Sequence, residues 1–184
     1  VSDQIEPDVP DLRSLLAEAS RPFATVTVPL NQGLRAQIEA AEAELSRIAE
    51  EDATPRRMGA ASPLKEKARE VEELRERLAA SALTFEFEAP TKDDIDGVRK
   101  AMAGRQDEDE FDLRLTAASC VRVKDAQGRE FPDRLAWADF KQLRDRLGEV
   151  LYEASIKDAS DKVYRRDWSV PFSFAASHIL GTAK

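Results

Sequence analysis

Residues 33–50 read GLRAQIEAAEAELSRIAE, and residues 62–80 read SPLKEKAREVEELRERLAA. In the first stretch Leu34, Ile38, Ala41, Leu45 and Ile48 recur at +4, +3, +4 and +3, which places them on one stripe of an α-helix. In the second, Leu64, Ala68, Val71, Leu74 and Leu78 form a matching stripe. Ser62 offers an N-cap and Pro63 suits a first helical turn. Pro55 and Gly59 sit in the break between the two, with Arg56 and Arg57. The pair predicts an αα-hairpin or a short antiparallel coiled coil. Each stripe is only two to three heptads long, and a helix of that length is marginal alone in water. Each helix therefore needs the other, or a partner chain. Charge does not hold them. Glu73 to Arg77 is a favourable i,i+4 pair worth about 0.2–0.5 kcal/mol, but Glu66–Glu70 and Glu72–Glu76 oppose it. Apolar burial is the main stabiliser.

Before the hairpin, residues 1–11 (VSDQIEPDVPD) hold four acids, two prolines and no base, which predicts a flexible acidic arm. Asp11 can cap a short helix through Leu12, Leu15, Leu16 and Ala19, ended by Arg21-Pro22. Residues 23–30, FATVTVPL, alternate and read either as a strand or as an apolar docking element; Pro29 points to an edge or a strand end.

After the hairpin, LTFEFE (83–88) alternates strictly. Leu83, Phe85 and Phe87 are expected on one face, with Thr84, Glu86 and Glu88 facing water. Thr91 followed by Asp94 fits a capping arrangement ahead of Ile95, Val98 and Met102, and Gly104 ends that helix. GRQDEDE (104–110) reads as an acidic surface loop. Phe111, Leu115 and Ala118 begin a further helix that either continues through Cys120–Val123 or breaks into a short strand. Trp137, Phe140, Leu143 and Leu147 mark another helix, starting after Asp133 or Leu135. A last one is expected over 149–163 with Val150, Leu151, Ala154 and Ile156 inward. Trp168, Phe172 and Phe174 crowd the C-terminal tail, and such side chains gain about 1.5–3 kcal/mol each on burial. The tail is expected either to fold back on the helices or to meet a partner.

The fold class is thus mainly α with a minor β component: a helical hairpin plus a compact α-rich C-terminal domain. The division expected is 1–11 as the acidic arm, 12–82 as the N-terminal segment with the hairpin, and 83–180 as the α-rich domain with short strands and the aromatic tail.

Composition narrows the chemistry. The 184 residues carry 28 Lys+Arg against 36 Asp+Glu, a net charge of -8. That disfavours nucleic-acid or anionic-membrane binding, and neither partner is expected. A single cysteine excludes an internal disulfide framework and any all-cysteine zinc site; a single histidine excludes every two-histidine metal signature. No apolar run reaches the ~18–20 residues that span a bilayer, and no basic region precedes an apolar stretch as in a leader. A soluble protein of a reducing compartment is the expectation. Cys120 lies in the apolar setting TAASCVRV and reads as a small hydrophobe, and His178 reads as a tail residue. Asp107 to Glu110 lack the alternating oxygens and central glycine of a calcium loop. There is no phosphate-binding glycine loop. Lys162-Val-Tyr-Arg165-Arg166 is the strongest basic spot, diluted by Asp158, Asp161 and Asp167. No catalytic, cofactor or metal residue is assigned.

The order of segments is VTVPL (26–30), the charged hairpin (33–80), LTFEFEAPTKDDIDGV (83–98), an acidic spacer, EFDLRLTAASCV (110–121), W-x-x-F-x-x-L (137–143) and VPFSFAAS (170–177). This order resembles small tail-gene proteins of long-tailed actinobacterial phages and the wider class of phage tail assembly chaperones. The resemblance implies a non-enzymatic protein that binds the helical tape-measure protein in the host cytoplasm while the tail tube polymerises, then leaves. It also implies that Phe85, Phe87, Phe111, Trp137 and Phe140 are core positions and that Phe172 and Phe174 anchor a tail. Residues 121–131 look like a small hairpin or extended insertion. The expected partner contacts are Leu34, Ile38, Leu45, Val71, Leu74, Leu78, Trp168, Phe172 and Phe174, with self-association also open. A structural virion component, such as a head–tail connector or tail protein, and a helical adaptor or regulator of a host protein are the alternative roles.

Overall fold

The computed structural model describes residues 13, 19–51 and 63–164. Three antiparallel strands, β1 (Phe23–Pro29), β2 (Ala82–Glu88) and β3 (Cys120–Lys124), form one sheet in the order β1-β2-β3. Two helices, α1 (Gly33–Glu51) and α2 (Pro63–Ala80), are inserted between β1 and β2. Two more, α3 (Lys92–Ala101) and α4 (Glu108–Ser119), join β2 to β3. After β3 come α5 (Trp137–Leu147), α6 (Glu149–Tyr152), a π-helical segment (Glu153–Lys157) and α7 (Asp158–Tyr164). The fold is mainly α with a small sheet.

The alternation of β2 builds the core. Phe85 pairs with Val26 on one side and Val123 on the other, and Phe87 pairs with Ala24 and Cys120, with a register shift between Glu86 and Phe87. Phe85 and Phe87 are fully buried. The Phe85 ring centroid lies 6.5 Å from that of Phe87 and 6.3 Å from that of Phe140 on α5. α7 packs across β1 and β2 with Ala159 and Val163, and Tyr152 of α6 and Ile156 of the π-helical segment complete this cluster. The sheet crosses the division expected at 82/83, since β1 lies on the N-terminal side of it and pairs along its full length with β2.

Local rules account for the helix ends. The Thr91 hydroxyl accepts from Asp94 N at 3.2 Å, and Thr91 N donates to Asp94 Oδ2 at 2.8 Å, a full capping box. Asp107 caps α4 by accepting from Glu110 N at 2.9 Å. The expected acidic loop therefore stops at residue 107. Glu108, Asp109 and Glu110 form the first turn of α4, where carboxylates meet the positive end of the helix dipole. α5 begins at Trp137, and Asp139 Oδ2 accepts from Ala136 N at 2.8 Å.

Two further expectations are corrected. Glu86 does not face water: it is 9% exposed, because the Arg122 and Lys124 side chains of the adjacent strand lie against it as ion-pair partners. Val150 is 84% exposed and Ala154 is also exposed. Gly148, at φ +83°, breaks the chain between α5 and α6, so Val150 falls on the outer side of a new first turn. Leu151 and Ile156 do pack on the core as expected, and Tyr152 joins them there. Residues 120–124 are a strand, not a continuation of α4, and the chain turns back through Gly128 at φ +78°. Asp125 Oδ1 accepts from Gln127 N and Arg129 N, both at 2.9 Å, and fixes that turn.

Candidate functional site

The helical hairpin grows directly out of the β1–β2 pair. Where the strands end, Leu30 N donates to Ser81 O at 3.1 Å and Asn31 N to Ser81 Oγ at 3.1 Å. The Ser81 hydroxyl in turn donates to Leu78 O at 2.7 Å. Gln32 Nε2 donates back to Pro29 O. Antiparallel strands thus become antiparallel helices across one fastened joint. Both helices match the spacing that predicts them: α1 starts at Gly33, and α2 starts at Pro63.

The hairpin has its own apolar cluster, separate from that of the sheet. Leu34, Ile38, Ala41, Val71 and Leu74 are buried in it, with Leu45 and Leu78 packed against it and half-buried. Toward the turn between the helices the seam opens: Leu45 and Ile48 on α1 and Leu64 and Ala68 on α2 are all half-buried. Two helices alone cannot enclose both sides of a seam. Four of the six expected partner contacts on the hairpin are therefore already used by the hairpin itself: Leu34, Ile38, Val71 and Leu74 pack one helix against the other. Leu45 and Leu78 retain part of their surface. Ile48, Leu64 and Ala68, which were read only as stripe residues, lie with Leu45 toward the far end of the hairpin, whereas Leu78 lies near the joint. Trp168, Phe172 and Phe174 lie outside the described residues, as do His178, Ser62 and, of the helix expected at 12–19, residues 12 and 14–18.

Ions outline this seam. Arg75 joins the helices by pairing with Glu42 at 2.7 Å and with Glu72 at 2.9 Å. Arg47 pairs with Glu44 at 2.6 Å and Glu51 at 2.5 Å, and Lys67 with Glu70 at 2.8 Å. The bonds to Arg47 hold the Glu44 carboxyl below its ordinary range. All are surface pairs, which contribute little to stability and more to solubility and to the approach of a partner.

The body offers less that is reactive. Cys120 is buried at the start of β3, and burial pushes its thiol up to about 12. It is a protonated thiol near pH 7, with Sγ 3.7 Å from Arg122 O. The depression of about 670 Å³ beside α4 is bordered by Met102, Arg105, Asp107 and Phe111, and Asp107 is occupied in capping. Asp109 pairs with Arg144, Asp112 with Lys157 at 2.6 Å, and Glu110 with Arg114 at 2.6 Å. The first two pairs tie α4 to α5 and to the π-helical segment; the third lies within α4. The Arg114 guanidinium also lies over the Trp137 ring, 4.7 Å from its centroid. Among the described residues no group of His, Cys, Asp and Glu side chains is placed to hold a metal ion, and no helix is long and apolar enough to cross a membrane.

No protein-family model, curated protein or solved structure matches this chain.

Proposed function

We propose that this protein is an assembly chaperone for a long amphipathic helical client, acting without catalysis, and that the client is the tape-measure protein of a phage tail. The observation that carries the reading is the half-open seam of the hairpin. Leu45, Ile48, Leu64 and Ala68 are partly covered side chains in a row, of the kind a third helix covers when it lies along two. Acidic and basic side chains flank the row, so its apolar contact is bounded by soluble surface. Attraction comes from apolar burial, about 25 cal/mol per Å² before the entropy of ordering both partners is subtracted. The segment order described above supports the choice of client class.

The test is retention of tape-measure fragments on the immobilised chain at low salt and at roughly 0.3 M salt, where a contact dominated by counterion release is strongly weakened. Retention in both conditions, lost in Ile48→Asp and Leu64→Asp while the helical signal is kept, is the expected result. No retention in either condition, together with a fixed symmetric copy number of this protein in purified particles, transfers the role to a structural virion component.

A further inference from the structure

The sheet has two unlike edges. On β3 the outward side is partly occupied: Phe131 N donates to Val123 O at 2.9 Å, and Lys124 bridges to Glu130. On β1 it is not. The bonds from Ala89 N to Pro22 O and from Leu30 N to Ser81 O, with the register between them, direct the backbone groups of Ala24, Val26 and Val28 toward β2. The N–H and C=O groups of Phe23, Thr25 and Thr27 then point away from the sheet, as does the carbonyl of Pro29. Gln32 Nε2 donates to the Pro29 carbonyl, while among the described residues no hydrogen bond reaches the outward groups of Phe23, Thr25 and Thr27. Pro29 fits this position because its missing N–H belongs to the outward side. Exposed edges are ordinarily guarded by charge, a bulge or a covering segment. Here residues 22–34 carry no charged side chain, in a chain that is 35% charged, and Phe23 is 52% exposed.

We propose that β1 pairs antiparallel with β1 of a second copy, joining two three-stranded sheets into one of six strands. Two observations select a second copy over another strand. The outward groups are self-complementary: with Thr25 opposite Thr25 of the other copy, Phe23 meets Thr27 on both sides of the two-fold axis, and every free donor of both strands is used. Each Phe23 then lies across from a β-branched side chain on the face where it is now exposed. The second observation is charge. Each chain carries -8, so copies repel over most of their surface and approach at least cost through a charge-free stretch. The two-fold axis directs the two helical hairpins away from each other, at opposite ends of the joined sheet. The pairing does not depend on the client reading above.

Sedimentation equilibrium of the 184-residue chain over a concentration series tests it, beside Thr25→Pro and Thr25→Lys. The proline removes one outward donor and no β1–β2 bond; the lysine places a charge on the edge. The expected result is a wild-type mass twice 20.5 kDa, with the dissociation constant raised at least about tenfold in both variants and the circular dichroism unchanged. If Thr25→Pro loses structure, Thr25→Lys decides. A wild-type chain that stays at single mass to its solubility limit, or a dimer indifferent to both substitutions in folded protein, overturns the proposal. Hydrogen exchange gives the alternative occupant its own signature. Protection of the Thr25 and Thr27 amides in a monomer, lost on deleting 165–184, assigns the edge to the chain's own C-terminal segment and also overturns it.

Discussion

The hairpin and the sheet-centred body are both built from antiparallel neighbours, yet they bury their apolar residues differently. In the body, Phe85 is covered by flanking strands on both sides and by α5, and reaches zero exposure. In the hairpin, each seam residue has one opposing helix and solvent beyond it: Leu34, Ala41 and Val71 are buried, while Leu78 near the joint and Ile48 and Leu64 at the far end stay half-buried. Stability in the body is therefore collective, whereas each helix of the hairpin depends on the cover that the other supplies. The incompletely covered seam leaves apolar side-chain surface to offer a partner, whereas the body offers the backbone edge of β1.

The strongest way to break this contrast is at the centre of the sheet. Phe85→Ala is expected to cost about 3–5 kcal/mol and to lower the chemical-denaturation midpoint of the whole molecule; a loss confined to part of the signal would mean that the sheet is not the common core. Next is Leu74→Ala, expected to cost about 2 kcal/mol, the low end for such a change, because the seam can relax toward solvent. Amide exchange should rise over 33–51 and 63–80 and stay unchanged in 82–88. Equal acceleration in both regions would make them a single cooperative unit.

Acid should act on the body more gently. Arg144 hydrogen-bonded to Asp109 holds that carboxyl below its ordinary range, the Thr91 hydroxyl and amide do so for Asp94, and the Arg129 amide leads the same effect on Asp125. Each folded-state value lies below the unfolded one. Their stabilisation is thus complete above about pH 4 and is lost as pH falls through the folded values. The melting temperature should be level from near neutral to about pH 5 and decline below about pH 4, with Asp109→Asn removing part of the decline. A decline of unchanged size in that variant would assign it to other carboxylates.

The smallest expected effect sharpens the contrast from the other side. The Tyr152 hydroxyl is buried and makes no hydrogen bond of full geometry among the described residues, the Thr116 side chain giving it only a weak polar contact, and burial pushes its phenol well above the usual range. Tyr152→Phe removes a polar atom whose burial is only weakly compensated, so it should leave stability unchanged or raise it by up to about 1 kcal/mol. A clear destabilisation would reveal a full hydrogen-bond partner for that hydroxyl.

The sequence carried the helices well because periodicity reports which face of an element is apolar. Leu34 to Ile48 and Val71 to Leu78 define the hairpin on spacing alone, and Thr91 with Asp94 marks the start of α3 by cap chemistry. Periodicity does not report neighbours. Nothing in FATVTVP names LTFEFE as its partner across the whole hairpin, and nothing in Glu86 announces that Arg122 and Lys124 will lie against it. Of the residues expected inward over 149–163, Val150 and Ala154 face out because Gly148 restarts the helix just before them, which the apolar pair Val150-Leu151 conceals. In the candidate site the stripe was legible, but the division of its residues into covered and half-open was not. That division depends on how the two helices pack at each level, which the spacing along one helix does not report.

Ser81 gives the hairpin a mechanical character. A helix of 19 residues extending from a fixed point is a lever about 28 Å long. A rotation of about 10° at its base moves the far end by about 5 Å, roughly one turn of a client helix. The reach and aim of the hairpin are therefore governed by the bonds among Leu30, Asn31, Leu78 and Ser81. Ser81→Ala, which leaves every apolar contact in place, would alter the stiffness of the lever while leaving its length unchanged.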